Sequence, residues 1–91
     1  MTKVVLYEKE ECHLCEDVAS VLERIKAERP FEFSTKDITS DPELFERYKN
    51  VIPVLEVDGK VRLGGSTLAS SLTLESILRR TIFQKPNPPQ D

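Results

Sequence analysis

Apolar positions change their period along the chain, and the changes mark the elements. Lys3-Val4-Val5-Leu6-Tyr7 is a short run rich in β-branched residues and reads as a buried strand. Glu8-Lys9-Glu10-Glu11 is polar and reads as a loop above the sheet. Leu14, Val18, Val21, Leu22 and Ile25 then share one helical face. Glu16 and Asp17 fall in the first turn of that helix, where negative charge suits its dipole, and Pro30 stops it. Phe31, Phe33 and Thr35 alternate with Glu32, Ser34 and Lys36, a strand with one buried face. Ser40-Asp41-Pro42-Glu43 reads as a helix start, with Ser40 as cap and Glu43 completing a capping box. Leu44, Tyr48 and Val51 mark the buried side of this second helix, and Asn50 ends it.

Val51 to Val57 reads as a strand entered through Pro53. Asp58-Gly59 is the strongest hairpin signal in the chain, and Lys60-Val61-Arg62-Leu63 returns as an alternating strand that Gly64-Gly65 ends. Ser66 to Ser71 gives no clear pattern. Thr73 can cap a last helix carrying Leu74, Ile77, Leu78 and Ile82. The order is β-α-β-α-β-β-α. A right-handed βαβ crossover followed by a hairpin predicts a four-stranded mixed sheet, and a sheet this small needs helices on both faces. The predicted organisation is one domain over residues 1–83 and a flexible, proline-rich tail over 84–91.

Composition narrows the class. The 91 residues carry 13 basic and 16 acidic side chains, a net charge of −3. That balance argues against nucleic acid as a main partner, because phosphate binding needs a basic surface. No stretch approaches the ~20 apolar residues of a membrane span. Met1-Thr2-Lys3 runs into the first strand without signal-peptide architecture, so the expected compartment is the cytosol. A monomer is expected.

The only two cysteines stand in Cys12-His13-Leu14-Cys15, between the first strand and the first helix. A cysteine pair in a reducing compartment is more often catalytic or metal-binding than a structural staple. CxxC after a strand and at a helix start reads as a thioredoxin-like redox site. Cys12 would face unpaired helix N–H groups, with Lys9 and a protonated His13 adding positive charge. Glu8, Glu10, Glu11 and Glu16 oppose this. A net lowering of the Cys12 pKa is expected, since the backbone donors are fixed while glutamates can swing into water. Cys12 is then the nucleophile, and Cys15, nearer the core, resolves the mixed disulfide.

The CxxC, Ile52-Pro53 entering the third strand, Asp58-Gly59 and Gly64-Gly65 together resemble the glutaredoxin branch of the thioredoxin fold. Lys36-Asp37-Ile38, Asp41-Pro42-Glu43-Leu44, Arg47-Tyr48 and Ile52-Pro53-Val54-Leu55 are similar to a family of small glutaredoxin-like proteins. The resemblance spans roughly residues 3–80. It implies thiol–disulfide oxidoreductase activity and an α/β, thioredoxin-like fold. It also implies a cis Pro53 facing the cysteines, with Ile52 offering backbone hydrogen bonds to an extended substrate. Lys9, Gly64 and Gly65 complete the implied substrate site, and His13 and Thr67 are added as candidates from their own chemistry, an imidazole that titrates near neutrality and a hydroxyl that can accept a hydrogen bond. No tightly bound cofactor is implied; glutathione is the candidate co-substrate, and disulfide-bearing proteins or small molecules and a reductase are the candidate partners. The sequence departs from the family in two places. His13-Leu14 replaces Pro-Tyr between the cysteines. Ser66-Thr67 follows Gly64-Gly65 where an Asp receives the amino end of glutathione.

Two other functions compete with this one. Cys12, His13 and Cys15 could serve a metal or an iron–sulfur cluster, but a closed zinc site usually wants four ligands, so this needs a dimer or an external thiol. A redox-silent protein-interaction module is the third.

Overall fold

The computed structural model describes residues 1–69 and 73–84. Its strands are β1 (Lys3–Glu8), β2 (Glu32–Asp37), β3 (Val54–Val57) and β4 (Lys60–Leu63), joined in one sheet of order β2-β1-β3-β4. β1 and β2 are parallel, while β1–β3 and β3–β4 are antiparallel. The parallel pair requires a crossover, and helix α1 (His13–Glu28) supplies it. The β3–β4 turn places Asp58 at φ 50° and Gly59 at φ 84°, the paired positive angles of a type I′ hairpin. Asp58 is held there from both ends. Its carboxylate accepts the Lys3 N–H at 2.9 Å, and its own N–H donates to the Lys3 carbonyl at 2.8 Å.

Strand register decides which side chains share a face. Val4 pairs with Val57 and Leu6 with Leu55, so these four point the same way. Against them pack Val18, Leu22 and Ile25 of α1, together with Leu78 and Ile82 of the last helix, α4 (Leu74–Phe83). Each such side chain, once buried, is worth about 1.5–3 kcal/mol. α1 and α4 are also linked at their exposed rim. Arg24 meets Glu75 at 2.6 Å, Arg79 meets Glu75 at 3.0 Å, and Arg79 also pairs with Glu28. Pairs this exposed add little to stability.

On the opposite sheet face α2 (Pro42–Tyr48) meets β1 through Tyr48. Tyr48 stacks on Tyr7 of β1, with centroids 5.0 Å apart and planes at 45°. The Tyr7 hydroxyl donates to Glu56 at 3.0 Å. Burial, reinforced by the neighbouring Glu56 carboxylate, pushes the Tyr7 pKa from 10 up to about 12. The folded pKa lies above the unfolded one, so this contribution is fully present below pH 10 and is lost as pH rises toward 12. In a Tyr48→Phe background, phenolate absorbance should therefore appear near pH 12 in the native protein. A midpoint near 10, the free tyrosine value, would show that neither the burial of Tyr7 nor its Glu56 contact is kept in solution.

Several local expectations are corrected. Ser40 does not cap α2, and the Ser40–Glu43 capping box is not formed. Asp37 takes the Thr39 N–H at 2.8 Å and turns residues Ile38–Ser40 into a single 3₁₀ turn. Ser40 then donates its hydroxyl back to the Asp37 carbonyl at 2.7 Å, and Asp41 becomes the cap, accepting the Glu43 N–H at 2.9 Å. α2 ends at Tyr48 rather than Asn50, so Val51 leaves the helical face and is 44% exposed. β2 is an edge strand whose buried face fades quickly: Phe33 is half-buried and Thr35 is exposed. β3 begins at Val54, three residues later than expected. Gly64-Gly65 does not simply end β4, because Gly65 opens a further short helix, α3 (Gly65–Ala69), whose Leu68 is buried. Thr73 stands at the N-cap of α4 without a side-chain hydrogen bond to it. Nearly all of the predicted tail, residues 85–91, lies outside the described residues. No helix among the described residues is long and apolar enough to cross a membrane.

Candidate functional site

β1 delivers the chain to the loop that holds the cysteines. Glu11, at φ 59°, is a left-handed residue immediately before Cys12. Such conformations are uncommon outside glycine and tend to gather at functional loops. Cys12 itself is extended, at φ −116° and ψ 101°, and is the N-cap of α1. Its carbonyl accepts the Glu16 N–H at 3.1 Å. Its Sγ accepts the Cys15 N–H at 3.2 Å, so the sulfur fills the role that a serine or aspartate oxygen plays at other helix starts. Cys15 lies in the first turn, points to the core and is 1% exposed, whereas Cys12 is only partly covered. The two are joined as a disulfide with their Cα atoms 5.2 Å apart, within the usual range for such a bridge.

The other expected site residues fall into two places. His13 is fully exposed, with Nδ1 4.0 Å from a Glu16 carboxylate oxygen. Lys9 lines a shallow cleft with Glu8, Glu10, Glu16 and Asp37, a single lysine among four carboxylates. Asp37 is held below the usual carboxylate range by the hydrogen bonds from the Thr39 hydroxyl and N–H, so it is charged at neutral pH.

Ile52, Pro53, Gly64 and Gly65 form a second group. The Ile52–Pro53 peptide bond is cis, and Pro53 is buried. The Gly65 N–H donates to the Val51 carbonyl at 2.7 Å. A Cβ on Gly65 would lie 2.4 Å from the Ile52 carbonyl oxygen. The glycine is thus required by close backbone approach. The Val51 and Ile52 N–H groups both donate to the Tyr48 carbonyl, at 2.9 and 3.1 Å. The Ile52 N–H is therefore engaged by its own chain. Thr67 lies exposed in α3.

Asp37 joins the first group through the Lys9 cleft and Tyr48 the second through its carbonyl, although neither was expected as a site residue. Asp37 was visible only as part of a family-like run, and Tyr48 read as helix core. The carbonyl of Tyr48 has no signature in a sequence. Among the described residues, no group of three or more His, Cys, Asp or Glu side chains is arranged to hold a metal ion.

Comparison with known proteins agrees with the geometry. The model of the glutaredoxin-like domain family (DUF836) matches residues 3–82. The solution NMR structure of protein Ne2328 from Nitrosomonas europaea is similar at 29% identity and a TM-score of 0.62, covering 69% of this chain and 76% of that one. No curated protein matches the sequence. A Cys12–Cys15 pair at disulfide distance in such a domain fits a redox role. A match over nearly the whole described chain, on a four-stranded mixed sheet with the cysteines at the start of α1, shows that this protein has a thioredoxin-like fold and belongs to the glutaredoxin-like domain family.

Proposed function

We propose that the protein is a thiol–disulfide oxidoreductase in which Cys12 is the nucleophile and Cys15 the resolving thiol. One observation supports this above the others: Cys12 Sγ accepts the Cys15 N–H at 3.2 Å, at the N-cap of a sixteen-residue helix. A donor held there by the helix stabilises a thiolate more than a thiol. The Cys12 thiolate attacks one sulfur of a substrate disulfide. The substrate S–S bond breaks, a mixed disulfide forms, and the first substrate thiolate leaves. Cys15 then loses its proton and attacks Cys12 Sγ, re-forming the intramolecular disulfide and releasing the second substrate thiolate. Two electrons pass to the substrate, and both leaving thiolates take up protons. The cysteine pair carries both electrons, so no bound cofactor is needed. A thiol such as glutathione, or a reductase, regenerates the dithiol.

Equilibrating the protein in graded glutathione buffers and reading intact mass tests this. The expected result is a reversible loss of two hydrogens across a defined range of potential, with both thiols disappearing together. An unchanged mass across all buffers would mean inert cysteines and would end the redox reading.

A further inference from the structure

We infer that Cys12 is selective for cationic disulfides, because the carboxylates gathered around its loop impose an unbalanced negative charge on whatever approaches it. This rests on the oxidoreductase reading above and names the substrate class of that same site.

Glu8, Glu10, Glu11, Glu16 and Asp17 flank the cysteines in the sequence, and Asp37 closes the cleft from the end of β2, where it pairs with Glu8. Within the cleft, four carboxylates (Glu8, Glu10, Glu16 and Asp37) thus stand against one lysine, Lys9. Glu16 meets His13 at 4.0 Å, a charge pair only when the imidazole is protonated. Among the described residues, none of Glu8, Glu10, Glu11, Asp17 and Asp37 has an ion-pair partner. Arg24 and Arg79 are committed to Glu75 and Glu28, and Lys49 to Glu46. Among the residues lining the cleft, negative charge therefore exceeds positive charge.

The sulfur supplies the binding chemistry, since Cys12 is partly exposed and must meet a disulfide; the carboxylates decide which disulfide arrives. Backbone pairing through the Ile52 N–H is closed off by the Tyr48 carbonyl, leaving charge a larger share of the discrimination. A field of one sign around a reactive group changes encounter rates by tenfold or more and fades with salt. The same carboxylates oppose the Cys12 thiolate, but that effect slows every disulfide alike and cancels in a ratio. The favoured partner is a disulfide flanked by lysine or arginine, while glutathione disulfide, with its excess of carboxylates, is disfavoured.

The test uses the reduced protein at pH 7 and measures second-order rates with cystamine, hydroxyethyl disulfide and dithiodipropionate, which are cationic, neutral and anionic. Each rate is divided by that of mercaptoethanol with the same disulfide. At low salt the normalised rate should be about tenfold higher for cystamine than for the neutral disulfide, and lower again for the anionic one. The cystamine ratio should fall and the anionic ratio rise toward one in about 0.5 M salt, where screening is nearly complete beyond contact. The double variant Glu10→Gln/Glu16→Gln should cut the cystamine preference to roughly a third or less. Equal normalised rates for the three disulfides would overturn the charge selectivity and leave the redox reading intact. Failure of every disulfide to oxidise the cysteine pair would overturn both.

Discussion

Cys12→Ser is expected to abolish disulfide reduction, whereas Cys15→Ser should react once and stop. The two outcomes differ because the two sulfurs occupy different environments on the same helical turn. Cys12 is partly exposed and receives an N–H of α1, while Cys15 is 1% exposed and supplies that N–H from its own backbone. A serine hydroxyl at position 12 keeps the cap, since serine is a good N-cap residue, so folding survives while the nucleophile is lost. The rate should therefore drop by roughly a thousandfold or more without a matching loss of stability, the pattern expected when a nucleophile is removed from an intact site. In Cys15→Ser the first attack proceeds and the mixed disulfide persists, because no second thiol is placed to release it. Incubation with a small disulfide and intact-mass measurement separates these outcomes: an adduct on Cys15→Ser and none on Cys12→Ser. Iodoacetamide at neutral pH gives a second reading, with Cys12 alkylated first. If Cys15 is the faster thiol, the roles assigned here are reversed.

The parts of the fold that were legible are those whose cause is local. The Asp58-Gly59 turn could be read because two consecutive positive φ angles admit few residue pairs, and this is one of them. α1 could be read because Val18, Leu22 and Ile25 keep the 3.6-residue period over two turns, and all three are buried. The CxxC was legible for the same reason: a helix start fixes which cysteine caps and which turns inward. What could not be read depends on competition or on distance. Ser40 and Asp41 are both good caps, and the choice fell to Asp41 because the Asp37 side chain opens a 3₁₀ turn at Thr39 in which Ser40 gives its hydroxyl to the Asp37 carbonyl. α3 is five residues long, too short for any period to emerge, and opens on a glycine. The engagement of the Ile52 N–H by the Tyr48 carbonyl involves backbone groups alone, so no choice of side chain announces it. The resemblance located the Ile52-Pro53 and Gly64-Gly65 segments, but it is the fold that brings Gly65 against Val51 and Ile52.

That contact sets the second large effect, and it divides two adjacent glycines. Gly65→Ala is expected to destabilise the protein by about 3 kcal/mol, combining an overpacking cost with a weakened backbone hydrogen bond. The added Cβ would lie 2.4 Å from the Ile52 oxygen and 2.9 Å from the Val51 oxygen, and both are backbone atoms that cannot rotate away. Relief requires moving residues 51–53 or 64–65, which strains the 2.7 Å bond from the Gly65 N–H to the Val51 carbonyl. Gly64→Ala places its Cβ 3.7 Å from the Val51 oxygen, an ordinary contact. Its cost should stay below about 1 kcal/mol, chiefly because Gly64 precedes α3 at a position where alanine is a poor cap. For a domain of this size the first variant should melt roughly 15 °C lower and the second within a few degrees of the parent. Urea unfolding of both proteins, with equal m-values confirming a common unfolded state, measures the difference. Equal stability of the two variants would mean that the segments slide apart at little cost, and the close approach of Gly65 to Ile52 would then not be what positions Pro53. Loss of stability in Gly65→Ala with an undiminished rate of disulfide reduction would instead assign the junction to the fold alone, leaving the reactivity of Cys12 to the start of α1.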